Sequence, residues 1–138
     1  ILKGILDADD AEIAARLGYD GIVVSNHGGR QLDGAISSIS ALPNIVDKVG
    51  KKMEVYMDGG IRSGQDVCKA LCMGAQGVLI GRPFLYGLGA YGKKGVTKCL
   101  EIMRDSLDES VGFLGEKNVQ DLGRKNILYK NYNEGFLD

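Results

Sequence analysis

The sequence predicts an α/β fold of four βα units, the C-terminal half (strands five to eight) of a TIM (β/α)8 barrel. Three observations carry that expectation. Four short apolar runs alternate with helical patterns along the chain. Displaced by fifty-six positions, the sequence matches itself: Gly4-Ile5 with Gly60-Ile61, Asp10 with Asp66, Ala14 with Ala70, Gly18 with Gly74, Gly21 with Gly77, and Ile22-Val23-Val24 with Val78-Leu79-Ile80. Repeated βα units close either into an open doubly wound sheet or into a barrel, and the pairwise echo favours a barrel. A complete barrel takes about 250 residues. The 138 residues present then make half of one, with four units expected to precede Ile1.

The strands are expected at Ile1 to Leu6, Gly21 to Asn26, Glu54 to Gly59 and Gly77 to Arg82. Their aliphatic and β-branched content fits parallel strands covered on both faces. Lys3 is the oddity of the first, because a lysine in an apolar strand costs desolvation unless it meets an anion. Two readings stay open: an exposed strand end, or a cation aimed into the barrel mouth where it would stabilise an electron-rich ring gaining charge. After the third strand a helix is expected over Gly64 to Met73, with Val67, Ala70 and Leu71 on one face and Ser63-x-x-Asp66 as a capping box. The last long helix is expected from Gly95 to Leu114, with Val96, Leu100, Met103, Leu107 and Val111 on its buried stripe. From Glu116 onward periodicity fades, which reads as an extended segment lying over another surface. Residues 1–122 are therefore assigned to the half-barrel and 123–138 to a C-terminal tail.

Composition narrows the partners. A net charge of −1 and no long basic run give no reason to expect nucleic acid or an anionic membrane. No stretch approaches the roughly 20 apolar residues of a membrane span, and the first residues lack a signal-peptide layout, so a cytoplasmic protein is expected. Three cysteines, two of them four apart in a helical pattern, support neither a disulfide framework nor a zinc site and read as small buried side chains. A half-barrel exposes sheet edges and apolar faces that closure should cover, so association is expected, as a homo-oligomer or with a complementary half.

The chemistry-bearing residues stand at strand ends. In barrels of this kind a phosphate commonly sits beside the loops after strands seven and eight and the start of a short extra helix. The third strand ends in Asp58-Gly59-Gly60-Ile61-Arg62, where paired glycines let backbone N–H groups approach an anion and Arg62 adds a charged fork. The fourth ends in Gly81-Arg82-Pro83, with Pro83 placed to start a helix. A lone Gly-Gly or Arg is usually a turn or a solvated charge, but two such clusters at consecutive strand ends favour a phosphate site. The second strand ends in Ser25-Asn26-His27-Gly28-Gly29-Arg30-Gln31-Leu32-Asp33, and His27 is the chain's single histidine. A lone histidine is more often structural. At a barrel strand's C-terminal end, beside two glycines that leave room for a ligand, it can take a proton from a hydroxyl. The guanidinium of Arg30, three residues on, can grip a carboxylate with two prongs.

These segments, in this order and spacing, resemble the FMN-dependent 2-hydroxy acid dehydrogenases and oxidases, a family that includes glycolate oxidase, lactate oxidase, mandelate dehydrogenase and the flavin domain of flavocytochrome b2. The resemblance extends to about Leu122, and His-Gly-Gly-Arg is its specific part. It implies FMN as cofactor and a small (S)-2-hydroxy acid, such as lactate or glycolate, as substrate. By the same resemblance, His27 is the base and Arg30 the carboxylate ligand. Lys3 meets the flavin pyrimidine edge, Ser25 hydrogen-bonds the cofactor and Asp58 touches the ribityl chain. Gly59, Gly60, Arg62, Gly81 and Arg82 hold the phosphate, and Ile61 belongs to the cofactor site. Two rivals are a non-catalytic half-barrel subunit and another phosphate-binding barrel of IMP dehydrogenase-like or type 2 isopentenyl diphosphate isomerase-like type. The second class has no need of a histidine and an arginine three apart at this strand end.

Overall fold

A computed structural model describes residues 1–128. The elements are β1 (Leu2–Ile5), α1 (Ala8–Arg16), β2 (Gly21–Val24), α2 (Ser38–Val49), β3 (Glu54–Asp58), α3 (Gly64–Cys72), β4 (Gly77–Leu79) and α4 (Arg82–Phe113). The four strands form one parallel sheet in the order β1-β2-β3-β4. With right-handed crossovers, strands added in sequential order place every helix on the same face. A barrel wall has this sequential order, whereas a doubly wound sheet reverses its order and carries helices on both faces.

The repeat is physical. Displaced by fifty-six positions, α1 falls on α3 residue for residue. Their N-caps, Asp7 and Ser63, also correspond, each accepting hydrogen bonds from backbone N–H groups of the first turn. The expected capping box is present, since Asp66 closes back on the Ser63 N–H. Such a cap is worth about 1 kcal/mol. Both helices lead into a left-handed glycine, Gly18 (φ +84) and Gly74 (φ +98), which turns the chain into the next strand.

One face of the sheet makes the core. Ile22, Val24, Val55 and Met57 point into a cluster with Ala11, Ala14, Leu42, Ile45, Val49 and Ala70 from the helices. The opposite face presents Lys3, Val23, Glu54, Tyr56 and Leu79. The expectation of strands covered on both faces holds for β2, buried at all four positions, and is corrected for β3, which alternates, with Glu54 exposed, Val55 buried, Tyr56 half-buried and Met57 buried. The Tyr56 hydroxyl donates to the Glu54 carboxylate at 2.8 Å on that second face.

Helix α4 is broken in two. Tyr91 (φ −142) and Gly92 (φ 56, ψ −138) interrupt it. A short helix over 82–90, starting at Pro83 as expected, therefore precedes a long one over 93–113. The two backbones touch where Gly87 meets Gly95, an approach that any side chain at either position would prevent. The long part packs on α3, and Gly64 lies so close to the Leu107 backbone that a Cβ would overlap it. Met103 and Val111 are buried as expected, but Leu100 is half exposed.

Residues 116–128 are not extended. They form two 3₁₀ turns, Val119–Asp121 and Arg124–Asn126. Arg124 bonds the Asp47 carboxylate at 2.7 Å and the Pro43 carbonyl at 3.2 Å, while Asn126 and Lys125 both bond Glu116. The apolar Ile127 packs on the core. Charged side chains with partners elsewhere in the fold give this segment its anchorage, which periodicity does not report. The rest of the expected tail, 129–138, lies outside the described residues.

Candidate active site

The C-terminal ends of the strands open into a cavity of about 640 Å³ that brings together Lys3, His27, Arg30, Asp58, Arg62 and Arg82. A narrower recess of about 370 Å³ is lined by Lys3, His27, Arg30, Gln31 and Asp58. All the expected site residues except Ser25 line one or both of these spaces.

Lys3 does not fray. Its Nζ lies 2.9 Å from Asp58 Oδ2 and donates to Ser25 Oγ at 3.0 Å. The ammonium is therefore fixed across three strands, which favours the second of its two readings. Ser25 is fully buried, and its hydroxyl also accepts from the His27 N–H at 3.1 Å. Its own O–H proton is what it keeps for a ligand.

The backbone carries His27 in the left-handed region (φ 55), unusual for a residue with a side chain. Asn26 explains how that conformation is held. The Asn26 Oδ1 accepts from Gly28 N–H at 3.0 Å, its carbonyl accepts from Gly29 N–H at 2.9 Å and its own N–H donates to Ser38 Oγ at 3.2 Å. An asparagine turn of this type offsets the cost of left-handed backbone. The imidazole and the Arg30 guanidinium are both left exposed to the recess. Arg30 and Lys3 against the single carboxylate of Asp58 leave the recess with a surplus of positive charge, which suits a small carboxylate.

Asp58 is only half satisfied. Oδ2 has Lys3, but Oδ1 is buried without a hydrogen-bond partner. An orphaned buried acceptor costs about 1–3 kcal/mol. A hydroxyl delivered by a ligand would recover that loss.

Beyond Asp58 the chain turns through two left-handed glycines, Gly59 (φ +87) and Gly60 (φ +79). Nothing lies within 4 Å of where a Cβ of Gly60 or Gly81 would stand, so both backbones are bare toward the cavity. The Ile61 side chain is buried in the core, which leaves only its backbone for a ligand. Arg62 gives its N–H to Asp66 and one guanidinium N–H to the Ile61 carbonyl, which holds the remaining donors over the opening. Arg82 opens α4, whose first turn has no side-chain cap. Its free N–H groups add to a positive rim. The donor set runs from cations and amides through a lone acceptor to a lysine. It suits an elongated ligand with an anionic end, a hydroxyl in the middle and an electron-rich group beside the lysine.

Sequence reasoning missed Asn26 and Ser38 as supports of the base loop. The Asn-x-Gly spacing is a turn signal that points to Asn26. Nothing local points to Ser38, whose role depends on α2 returning beneath the loop. Among the described residues, no group of three His, Cys, Asp or Glu side chains converges to hold a metal, and no helix is long and apolar enough to cross a membrane.

Known proteins resemble this chain along most of its length. The profile of the family described as FMN-dependent dehydrogenase matches residues 1–129. An FMN-dependent alpha-hydroxy acid dehydrogenase of Penicillium citrinum is 53% identical over 124 residues, covering 90% of this chain and 31% of its own. An L-lactate oxidase of Nostoc sp. is 52% identical over 122 residues, covering 88% of this chain and 33% of its own. A crystal structure of mandelate oxidase with benzoyl-formic acid superposes with a TM-score of 0.84 at 50% identity, covering 86% of this chain and 35% of that one. The chain thus spans about a third of the length of the relatives it matches.

Proposed function

The chain belongs to the FMN-dependent dehydrogenase family, and from that premise we propose that it is the C-terminal half of a (β/α)8 barrel oxidising a small (S)-2-hydroxy acid, such as lactate or glycolate, to the 2-oxo acid. The observation that carries this is the convergence of His27, Arg30 and Lys3 on one recess beside the glycine and arginine loops. FMN, when bound, would accept the two electrons together with the hydrogen on the substrate's hydroxyl-bearing carbon. The Arg30 fork binds the substrate carboxylate and turns the hydroxyl toward His27, whose imidazole takes the hydroxyl proton. Lys3, held by Asp58 and Ser25, would offset negative charge on a bound flavin ring. Asp58 Oδ1, buried without a partner, would accept from a cofactor hydroxyl, and Ser25 would donate its O–H to the cofactor. Gly59, Gly60, Arg62, Gly81, Arg82 and the backbone of Ile61 cradle the phosphate.

The half-barrel reading draws support from two facts: the chain's share of its relatives' length, and a second sheet face that leaves Glu54 and Leu79 exposed. That face carries Lys3 and Asp58 at its upper edge. Its closure by four preceding units, or by another copy, would also shelter the reaction from water.

The test is an anaerobic titration of the FMN-loaded protein, with the barrel completed, against L-lactate, glycolate and (S)-mandelate, with propionate as the hydroxyl-free control. Bleaching of the flavin band by at least one hydroxy acid and not by propionate is expected. A flavin that stays oxidised with all of them would refute the assignment.

A further inference from the structure

In the register of β1 against β2, Lys3 pairs with Val23 and Ile5 with Val24, so Gly4 is an extra residue, a bulge at the strand's end. It lies at φ +100, a conformation open to glycine. The space a side chain would fill is not empty. A Cβ on Gly4 would come within 2.7 Å of His27 Nε2, 3.4 Å of Cε1 and 3.7 Å of Cδ2. The imidazole edge rests on the bare α-carbon of the neighbouring strand.

We propose that Gly4 is a positioning residue for His27: the bulge presents a side-chain-free seat that fixes how far the imidazole reaches across the strand ends toward Lys3. Two features give the contact consequence. First, the backbone under His27 cannot yield easily, because Ser25, Asn26 and Ser38 hold residues 26–29 by four hydrogen bonds. An added methyl at Gly4 would therefore be relieved by rotating the ring about its own side-chain torsions, and not by shifting the loop. Second, the displaced atoms are the far end of a side chain, so the fold survives while the ring moves. Structure and ring placement thus come apart at this one position.

The link from ring placement to turnover rests on His27 being the base, as proposed above; the seat itself does not. The test uses both. The chain carries a single histidine, so labelling with ¹³C-histidine gives one set of imidazole signals. In the unaltered chain, nuclear Overhauser contacts between the Gly4 α-protons and the imidazole ring protons are expected. In Gly4→Ala the ring-proton signals are expected to shift and the contact to residue 4 to be lost or redistributed, with the backbone amides of β2 and α2 in place. Gly18→Ala is the control for backbone strain alone, since Gly18 has φ +84 but nothing within 4 Å of a Cβ; its imidazole signals should match the parent. In the flavin-loaded enzyme, Gly4→Ala should lose about 100-fold in kcat, the scale of an ångström's misplacement, with FMN affinity unchanged. Absence of the Gly4 contact in the folded parent chain, or unmoved ring signals in Gly4→Ala, overturns the seat. If Gly4→Ala does not fold, the parent contact alone decides it. Moved ring signals with undiminished kcat overturn the positioning role, and an inactive parent enzyme points instead to failure of the functional reading.

Discussion

At the scale of single residues, His27 and Arg30 divide the work so that their substitutions should fail differently. Removing the imidazole deletes a proton acceptor and leaves the phosphate loops untouched, so His27→Ala should lower turnover by roughly 10² to 10⁴ while FMN still binds. Steady-state kinetics beside a flavin titration check this; comparable turnover would remove His27 from the mechanism. Arg30→Lys keeps the charge but loses the planar fork, so the fall should appear in kcat/KM with saturating turnover less affected. These two residues and Lys3 were legible because each is a polar group of definite chemistry at an apolar strand's end. Ser38 was not, because its contact with Asn26 depends on which backbone the fold brings alongside.

At the scale of elements, the loop after β3 and the start of α4 should act together on the cofactor's phosphate. Each charged hydrogen bond is worth about 1.5–3 kcal/mol. Arg62→Ala or Arg82→Ala should therefore weaken FMN about ten- to a hundredfold and leave riboflavin nearly indifferent, by fluorescence titration. Equal losses for both flavins would mean that the arginines act through folding. The α3 and α4 contact depends on Gly64, where a methyl would overlap the Leu107 backbone. Gly64→Ala should then cost about 1–3 kcal/mol or more, read as a lowered urea midpoint.

The turn after α4 has its own pH signature. Lys125 and Asn126 hold the Glu116 carboxyl below its ordinary 4.5. A depressed carboxyl stabilises the fold above that value and loses the contribution as pH falls through the lowered one. Amide protection over 123–127, relative to the intrinsic exchange rate at each pH, should fall below about pH 4.5 and hold between 6 and 8; Glu116→Gln should show weaker protection already at neutral pH. Conversely, burial beside Cys68 pushes the Cys72 thiol up to about 11, which matches the reading of an inert core cysteine. The strands and α3 were legible because period and caps are local signals. The break in α4 was only partly so, since Gly87 and Gly95 look like weak helix residues until the backbone folds one onto the other.

At the scale of the whole molecule, the internal repeat made the architecture readable, because βα units recurring in step can add to a sheet in few ways. The second face, where Glu54 and Leu79 stand exposed, followed from the half-barrel reading but not from the strands themselves, because strands with Val, Ile and Leu at alternate positions look the same whether or not another layer covers them. That face fixes the most direct test of the account, which holds that this chain carries base, clamp and phosphate loops yet needs the rest of a barrel to use them. The measurement is anaerobic flavin reduction by a 2-hydroxy acid, on the purified chain with FMN and on the same chain completed by four preceding βα units, each with sedimentation velocity alongside. The account predicts that the chain alone associates and leaves the flavin oxidised, and that the completed barrel is reduced within turnovers. Robust reduction by the chain as a monomer, or none by the completed and FMN-loaded barrel, would contradict it.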